Sequence, residues 1–245
     1  MTLVSPTARS LGQRERNKID KLRRIKEAAR ELLVAKGFDD TTTREIAIRA
    51  GVGLGTIFVY AENKRDLLFL IVNEELETVI GQAEASISPD VCFLENLLRV
   101  AEMHYVFFGR QPALSRFVLR EMTFYDSGAQ AGRFQITRER LISLFGDIVA
   151  LAVAREDLSS DETQQFIGWT IFCIFQVELR RWLSENGPNL RIGLQALARA
   201  LTLFALGLKP RAKALAVGLN APRAQEKPGP GSRQKDVEVA ASAIN

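Results

Sequence analysis

Residues 51–68 read GVGLGTIFVYAENKRDLL, with three glycines in five positions running into an apolar and aromatic stretch that ends at Asn63-Lys64. A glycine-rich turn that opens a helix cradles phosphate in two settings, a nucleotide-binding loop or a helix laid against a DNA backbone. The nucleotide reading needs Gly-x-x-x-x-Gly-Lys-Ser/Thr after a strand. Neither that spacing nor a strand pattern stands here. The flanks favour DNA. Upstream, TTTREIAIRAG pairs Thr42 with Glu45 three residues later, a capping box that predicts a helix from Thr43 to a stop at Gly51. Downstream, Gly53 opens a short helix, Leu54–Tyr60, and Asn63 with Asp66 predicts the start of a long one from Lys64 to about residue 85. A helix of about eight residues, a tight turn and a second short helix make a helix-turn-helix, whose second helix enters the major groove.

Helical spacing continues on both sides. Leu22, Ile25, Ala29, Leu32 and Leu33 share one face of a first helix that stops at Gly37. Beyond Pro89, helical stretches are predicted over roughly 91–109, 112–126, 130–154, 160–185 and 189–207. No run alternates with period two, so the fold class is all-α: a helix-turn-helix domain joined to a larger helical domain. The boundaries read as a basic arm over 1–17, a DNA-binding domain over 18–70, a ligand-binding and dimerisation domain over 71–210, and a disordered tail rich in Pro, Gly and charge over 211–245. Net charge is +5 over residues 1–70, −5 over 71–207 and +4 beyond, so a polyanion partner is expected at the front end only.

Several function classes lose ground. One histidine, two cysteines without metal-ligand spacing and no nucleophile–base signature argue against an enzyme, a metal site or a bound cofactor. Cys92 and Cys173 read as reduced core thiols. The N-terminus lacks an apolar signal core, and FIGWTIFCIFQV (166–177) is too short to span a bilayer. A cytoplasmic protein without a membrane partner is expected.

Residues 24–70 resemble the DNA-binding domain of the TetR family of bacterial repressors. The resemblance rests on RIKEAARELLVAKGFDDTTTREIAIRAGVGLGTIFVYAENKRDLL, with its Thr-Thr, Ile-Ala, Ala-Gly-Val, Gly-Thr plus following aromatic, and closing Lys-x-x-Leu. Gly53, Phe58 and Ala61 depart from the family's usual Ser, Tyr and Phe. The resemblance implies a dimeric regulator, most simply a repressor, that leaves a palindromic double-stranded operator when a small apolar effector binds the body. Thr43, Arg44, Leu54, Gly55, Thr56, Phe58, Val59, Tyr60 and Lys64 are then the expected DNA contacts. Leu54 and Gly55 would lie nearest base edges, and Thr43, Thr56, Tyr60 and Lys64 would lie on phosphate. Arg14, Arg16, Lys18 and Lys21, read as preceding the first helix, are either a solvated arm or a minor-groove strand. In the body the aromatics are either core or the wall of an effector cavity, and His104, Phe124, Phe134 and Trp169 are the candidate ligand contacts. Phe166–Val177 and LQALARALTLFALGL (194–208) are apolar on more than one face, which predicts a second partner: the same helices of another subunit. Leu197 and Leu201 are expected on that seam. A helical ligand-binding or adaptor protein that does not hold DNA is the competing reading.

Overall fold

The computed structural model describes residues 12–207, and all of its regular structure there is helical. The helices are α1 (Gln13–Lys36), α2 (Thr43–Ala50), α3 (Leu54–Phe58), α4 (Lys64–Ser86), α5 (Phe93–Gly109), α6 (Pro112–Glu121), a 3₁₀ turn (Met122–Phe124), α7 (Ala131–Ala154), α8 (Gln164–Ser184) and α9 (Leu190–Leu206). The start of the arm and the tail from residue 208 lie outside the described residues.

Local signals set the first three elements. The Thr42 hydroxyl accepts the Glu45 amide at 3.2 Å and the Glu45 carboxylate accepts the Thr42 amide at 2.9 Å, so both halves of the capping box form. Lys36, and then the Thr42 amide, hold the Glu45 carboxyl down to about pKa 2. Gly51 ends α2 in the left-handed region at φ 62°. Ile25, Ala29, Leu33, Ile46, Ala47, Ile57 and Leu67 are all buried, and they draw α1, α2, α3 and the start of α4 round one core.

Some helix ends differ from the sequence reading by a few residues, as at α3, which ends at Phe58 and not Tyr60, and α8, which begins at Gln164; the start of α1 differs in kind. Arg14, Arg16, Lys18 and Lys21 do not precede α1; they ride on its first turns. Their stretch has no inward apolar periodicity, so spacing alone missed it. Polar side chains hold it instead: Gln13 donates to Asn17 at 3.0 Å, and Asp20 pairs with Arg23 and Arg24 at 2.7 and 3.1 Å.

α4 leaves the first core and enters the body, where it packs on α5 and α7. α7 and α8 cross at small residues. A Cβ on Gly168 would sit 2.5 Å from the Gly146 amide nitrogen, so the approach of the two backbones requires glycine there. α9 closes against α5 and α8. Trp182 of α8 stacks on Tyr105 at 4.7 Å and donates from its indole to the Asn189 carbonyl at 2.9 Å, which fixes the entry into α9.

Two further expectations fail in the body. Leu197 and Leu201 are buried inside this one chain, so they are core residues and not seam residues. Cys92 is exposed at the N-terminus of α5; only Cys173 is partly buried. No helix among the described residues is long and apolar enough to cross a membrane.

Candidate nucleic-acid interface and body cavity

The turn between α2 and α3 and the elements it joins leave several side chains open to solvent. Arg44, Leu54, Gly55, Phe58 and Val59 are exposed; Thr43, Thr56, Tyr60 and Lys64 are half-buried beside them. Phe58 is 51% and Val59 75% exposed, large values for apolar side chains within a packed domain. Ile57, just before them, is buried and pins the helix. All nine residues expected at DNA therefore keep some solvent exposure.

Lys64 is not idle on that surface. Its ammonium donates to the Asp39 carbonyl at 3.1 Å and lies 4.5 Å from the centre of the Phe38 ring. Tyr60 donates to the Lys18 carbonyl across a long 3.5 Å, tying α1 to the end of α3. A residue that the spacing did not flag is Arg24. Its guanidinium donates to the Ala50 carbonyl at 2.9 Å and so satisfies the C-terminus of α2 from another helix. The partner is 26 residues away in sequence, and no local pattern announces it.

The segment after α6 joins this unit to the body. Asp66, fully buried in the first turn of α4, accepts from the Glu62 amide at 2.9 Å, the Ala129 amide at 2.9 Å and the Tyr125 hydroxyl. Burial, then the bond to Asp66, raises the Tyr125 phenol well above its ordinary pKa, so it stays a donor. Gln130 donates to the Tyr60 carbonyl at 3.1 Å. Gly128 makes the tight turn possible: φ is +119°, and a Cβ would meet an Asp66 oxygen at 2.3 Å. In the sequence Asp66 reads only as a partner of the Asn63 cap. Asn63 does cap α4, accepting the Asp66 amide at 2.9 Å, while the Asp66 carboxylate holds the 125–130 segment.

The same segment reaches a cavity of about 250 Å³ in the body. Leu76, Ile80, Phe108, Phe134, Leu141 and Phe175 form much of its apolar wall, with Met122 and Thr123 at one side. Of the four rings expected to hold a ligand, the fold brings His104 and Phe134 to this cavity. It leaves Phe124 and Trp169 outside, 81% and 48% exposed. Phe124 stands at the end of the 3₁₀ turn, where Tyr125 turns inward in its place; Trp169 lies on the outer face of α8.

Two arginines line the cavity, and neither is bonded to a carboxylate among the described residues. Arg138 lies over the Phe172 ring at 5.6 Å and reaches the Gln135 amide oxygen only at 3.5 Å. Arg180 donates to Gln176 at 2.8 and 3.0 Å and to Thr123 at 3.3 Å, and burial lowers its pKa. Partly desolvated guanidinium groups with only neutral partners favour an incoming anion.

Comparison with known proteins agrees with this geometry. Residues 25–71 match the family model of the bacterial regulatory proteins of the tetR family. A fatty acid metabolism regulator protein of Bacillus subtilis is 31% identical over 90 residues, covering 37% of this chain and 46% of that protein. The matches span about half the length of the first curated relatives, 58% and 46%. Among solved structures, the transcriptional regulator FadR from Bacillus subtilis in complex with stearoyl-CoA superposes with a TM-score of 0.60 at 20% identity, covering 76% of this chain and 98% of that one. The Thermus thermophilus FadR, a repressor in complex with lauroyl-CoA, superposes with a TM-score of 0.59 at 23% identity, covering 78% and 97%. At those identities the likeness is one of fold. Residues 25–71 thus carry the sequence of the tetR family of bacterial regulatory proteins, and the all-helical fold is similar to that of solved FadR regulators.

Proposed function

We propose that the chain is a transcriptional repressor that works in the cytoplasm as a homodimer. It grips a palindromic double-stranded operator through residues 43–64 and lets go when a coenzyme A thioester of a medium-length acyl chain enters the body cavity. The split falls near residue 70, inside α4, with DNA reading before it and effector binding and dimerisation after it. The observation that carries this reading is the cavity itself. It is an apolar pocket with two arginines that have no carboxylate partner among the described residues, and its wall includes Met122 and Thr123 from the segment that grips Asp66 beside the helix-turn-helix. An apolar wall suits an acyl chain, and the arginines suit phosphate. The acyl-CoA complexes of the two similarly folded FadR proteins support the ligand class. Its volume of about 250 Å³ is at the low end for ligand sites, which favours a chain shorter than stearoyl.

Two copies are needed to read a palindrome. The outer faces of α8 and α9 leave Phe166, Trp169, Val177, Leu203 and Leu206 exposed, an apolar surface suited to a two-fold seam.

The test is fluorescence anisotropy on DNA selected from genomic fragments. The protein should hold a palindromic fragment, and decanoyl-CoA should weaken binding at least tenfold. By linkage, the DNA weakens decanoyl-CoA by the same factor. A specific complex that ignores acyl-CoA of every chain length would overturn the effector assignment. Failure to select any fragment would leave a helical ligand-binding protein.

A further inference from the structure

His104 is the one histidine of the chain, and it lines the body cavity. It is 2% exposed, and its ring packs edge-on against Phe175 at 5.5 Å. Its Nδ1 lies 2.8 Å from the Val100 carbonyl one turn back along α5. A carbonyl oxygen can only accept, so Nδ1 carries the ring proton and Nε2 presents a lone pair. The Nδ1 edge is turned to its own helix, and Nε2, on the other edge of a ring that lines the cavity, is enclosed and meets no donor among the described residues. Burial lowers the pKa to about 4, so the neutral ring persists at physiological pH.

The other polar groups of the wall are differently placed. The Thr123 hydroxyl donates to Leu119 and the Thr137 hydroxyl to Arg133, each back along its own helix or turn. The Gln176 amide oxygen accepts from Arg180. Three buried side-chain atoms lack a partner among the described residues: Asn73 Oδ1, Tyr105 Oη and His104 Nε2. Only the last belongs to the cavity wall. A buried acceptor without a donor is disfavoured, and a ligand that supplies the donor recovers that loss. A ligand without one leaves the loss in place.

We propose that the cavity selects a chain bearing a hydrogen-bond donor, a hydroxyl group, which His104 Nε2 receives within the apolar wall. The preferred effector is thus a hydroxylated acyl chain and not the plain saturated one. This rests on the reading of the cavity as the effector site.

The test uses full-length protein with decanoyl-CoA and a series of monohydroxydecanoyl-CoA isomers, the hydroxyl moved along the chain. Calorimetry should find one isomer that binds roughly five- to tenfold tighter than the plain chain, the worth of one buried neutral hydrogen bond. Because there is a single histidine, ¹⁵N-histidine labelling gives one Nε2 resonance. That resonance should move upfield with the preferred isomer and stay in place with the plain chain. His104→Leu should reverse the preference, and His104→Gln, which keeps an acceptor, should retain part of it. Should His104→Leu fail to fold, the wild-type series and the histidine resonance still decide. If the plain chain binds and no isomer binds tighter or moves the resonance, this inference falls while the effector reading stands. If neither plain nor hydroxylated chains bind, the effector reading falls and takes this inference with it.

Discussion

The helix-turn-helix unit and the body are stabilised in opposite ways. The first is made of short helices that could not persist alone: α2 has 8 residues and α3 has 5. Caps and reaching side chains fix them, namely the Thr42–Glu45 box, Arg24 on the end of α2 and Asn63 at the start of α4. The body uses helices of 17 to 24 residues for most of its mass and relies on apolar packing, with His104, Arg138 and Arg180 on the wall of one cavity. Capping is local in sequence and specific in residue type. Apolar packing is neither, since the same spacing of rings fits several arrangements.

The largest effect should expose that difference in α9. Leu201 is buried within the chain, so Leu201→Glu should cost about 4 kcal/mol or more and unfold the body, by placing a charge in the core. Its neighbour Leu203 is exposed, so Leu203→Glu should change monomer stability by less than about 0.5 kcal/mol while separating the subunits. Urea midpoints and sedimentation velocity distinguish the two. An unaltered dimer for Leu203→Glu would move the seam off α9.

Next in size is the joint between the two regions. Asp66→Ala leaves two amides and the Tyr125 hydroxyl without their acceptor, a loss of roughly 3 kcal/mol or more. Tyr125→Phe removes one bond and should cost only about 1–2 kcal/mol. If the 125–130 segment carries the effector signal, Tyr125→Phe should also blunt release of DNA by acyl-CoA with its affinity unchanged. Full release in that variant would assign the signal to another contact.

Acid should act on the body through His104. Unfolded, the ring takes a proton near its ordinary 6.5; folded, it refuses one until about 4. Between those values the unfolded state binds more protons, so stability falls as pH drops from about 6.5 to about 4, by roughly 3 kcal/mol in total. The guanidinium groups of Arg138 and Arg180 line the same wall, and the Cys173 thiol, pushed up by burial, stays neutral. Denaturation from pH 7 to 4 should show this slope in the wild type and a shallower one in His104→Leu.

The sequence made the first region legible nearly residue by residue. The Thr42 box, the Gly51 stop and the Asn63 cap are each a side chain whose chemistry suits one backbone position, and all three form. It did not show Arg24 or Asp66 at work, because their partners lie 26 and 59–63 residues away. In the body the helices fell close to their expected bounds, yet two of the four rings chosen for the ligand lie outside the cavity. Phe124 and Phe134 have the same chemistry; only the 3₁₀ turn, which sends Tyr125 inward, sends Phe124 out. Leu201 and Leu203 likewise differ by two positions on one helix, and which is core depends on how α9 rolls against α5 and α8.

The smallest expected effect is the most discriminating for the DNA-facing unit. Lys64 stands at the first position of α4, where free amides already favour an anion. Its ammonium holds the Asp39 carbonyl at 3.1 Å and the Phe38 ring at 4.5 Å, and Asp39 in turn pairs with Arg120 of α6 at 3.0 Å. Two roles compete: a staple between the α1–α2 loop and α4, or a phosphate clamp that exchanges the carbonyl for DNA. As a staple, Lys64→Ala should lower stability by about 1 kcal/mol or less and weaken DNA only in proportion to the unfolded fraction, with the salt dependence unchanged. As a clamp, it should leave the melting temperature nearly unaltered and weaken all duplexes alike. The slope of log affinity against log salt should then shrink by about 0.9 for each protomer, hence by about 2 for a dimer on a palindrome. Variants at Leu54 or Gly55, at the start of α3, should behave otherwise, changing which duplex is preferred by roughly 1–3 kcal/mol per affected base pair. Titration of all three against specific and random duplexes at several salt concentrations separates the roles. A salt slope that Lys64→Ala does not move would assign Lys64 to the staple, and the phosphate contact would pass to Thr43, Thr56 and Tyr60.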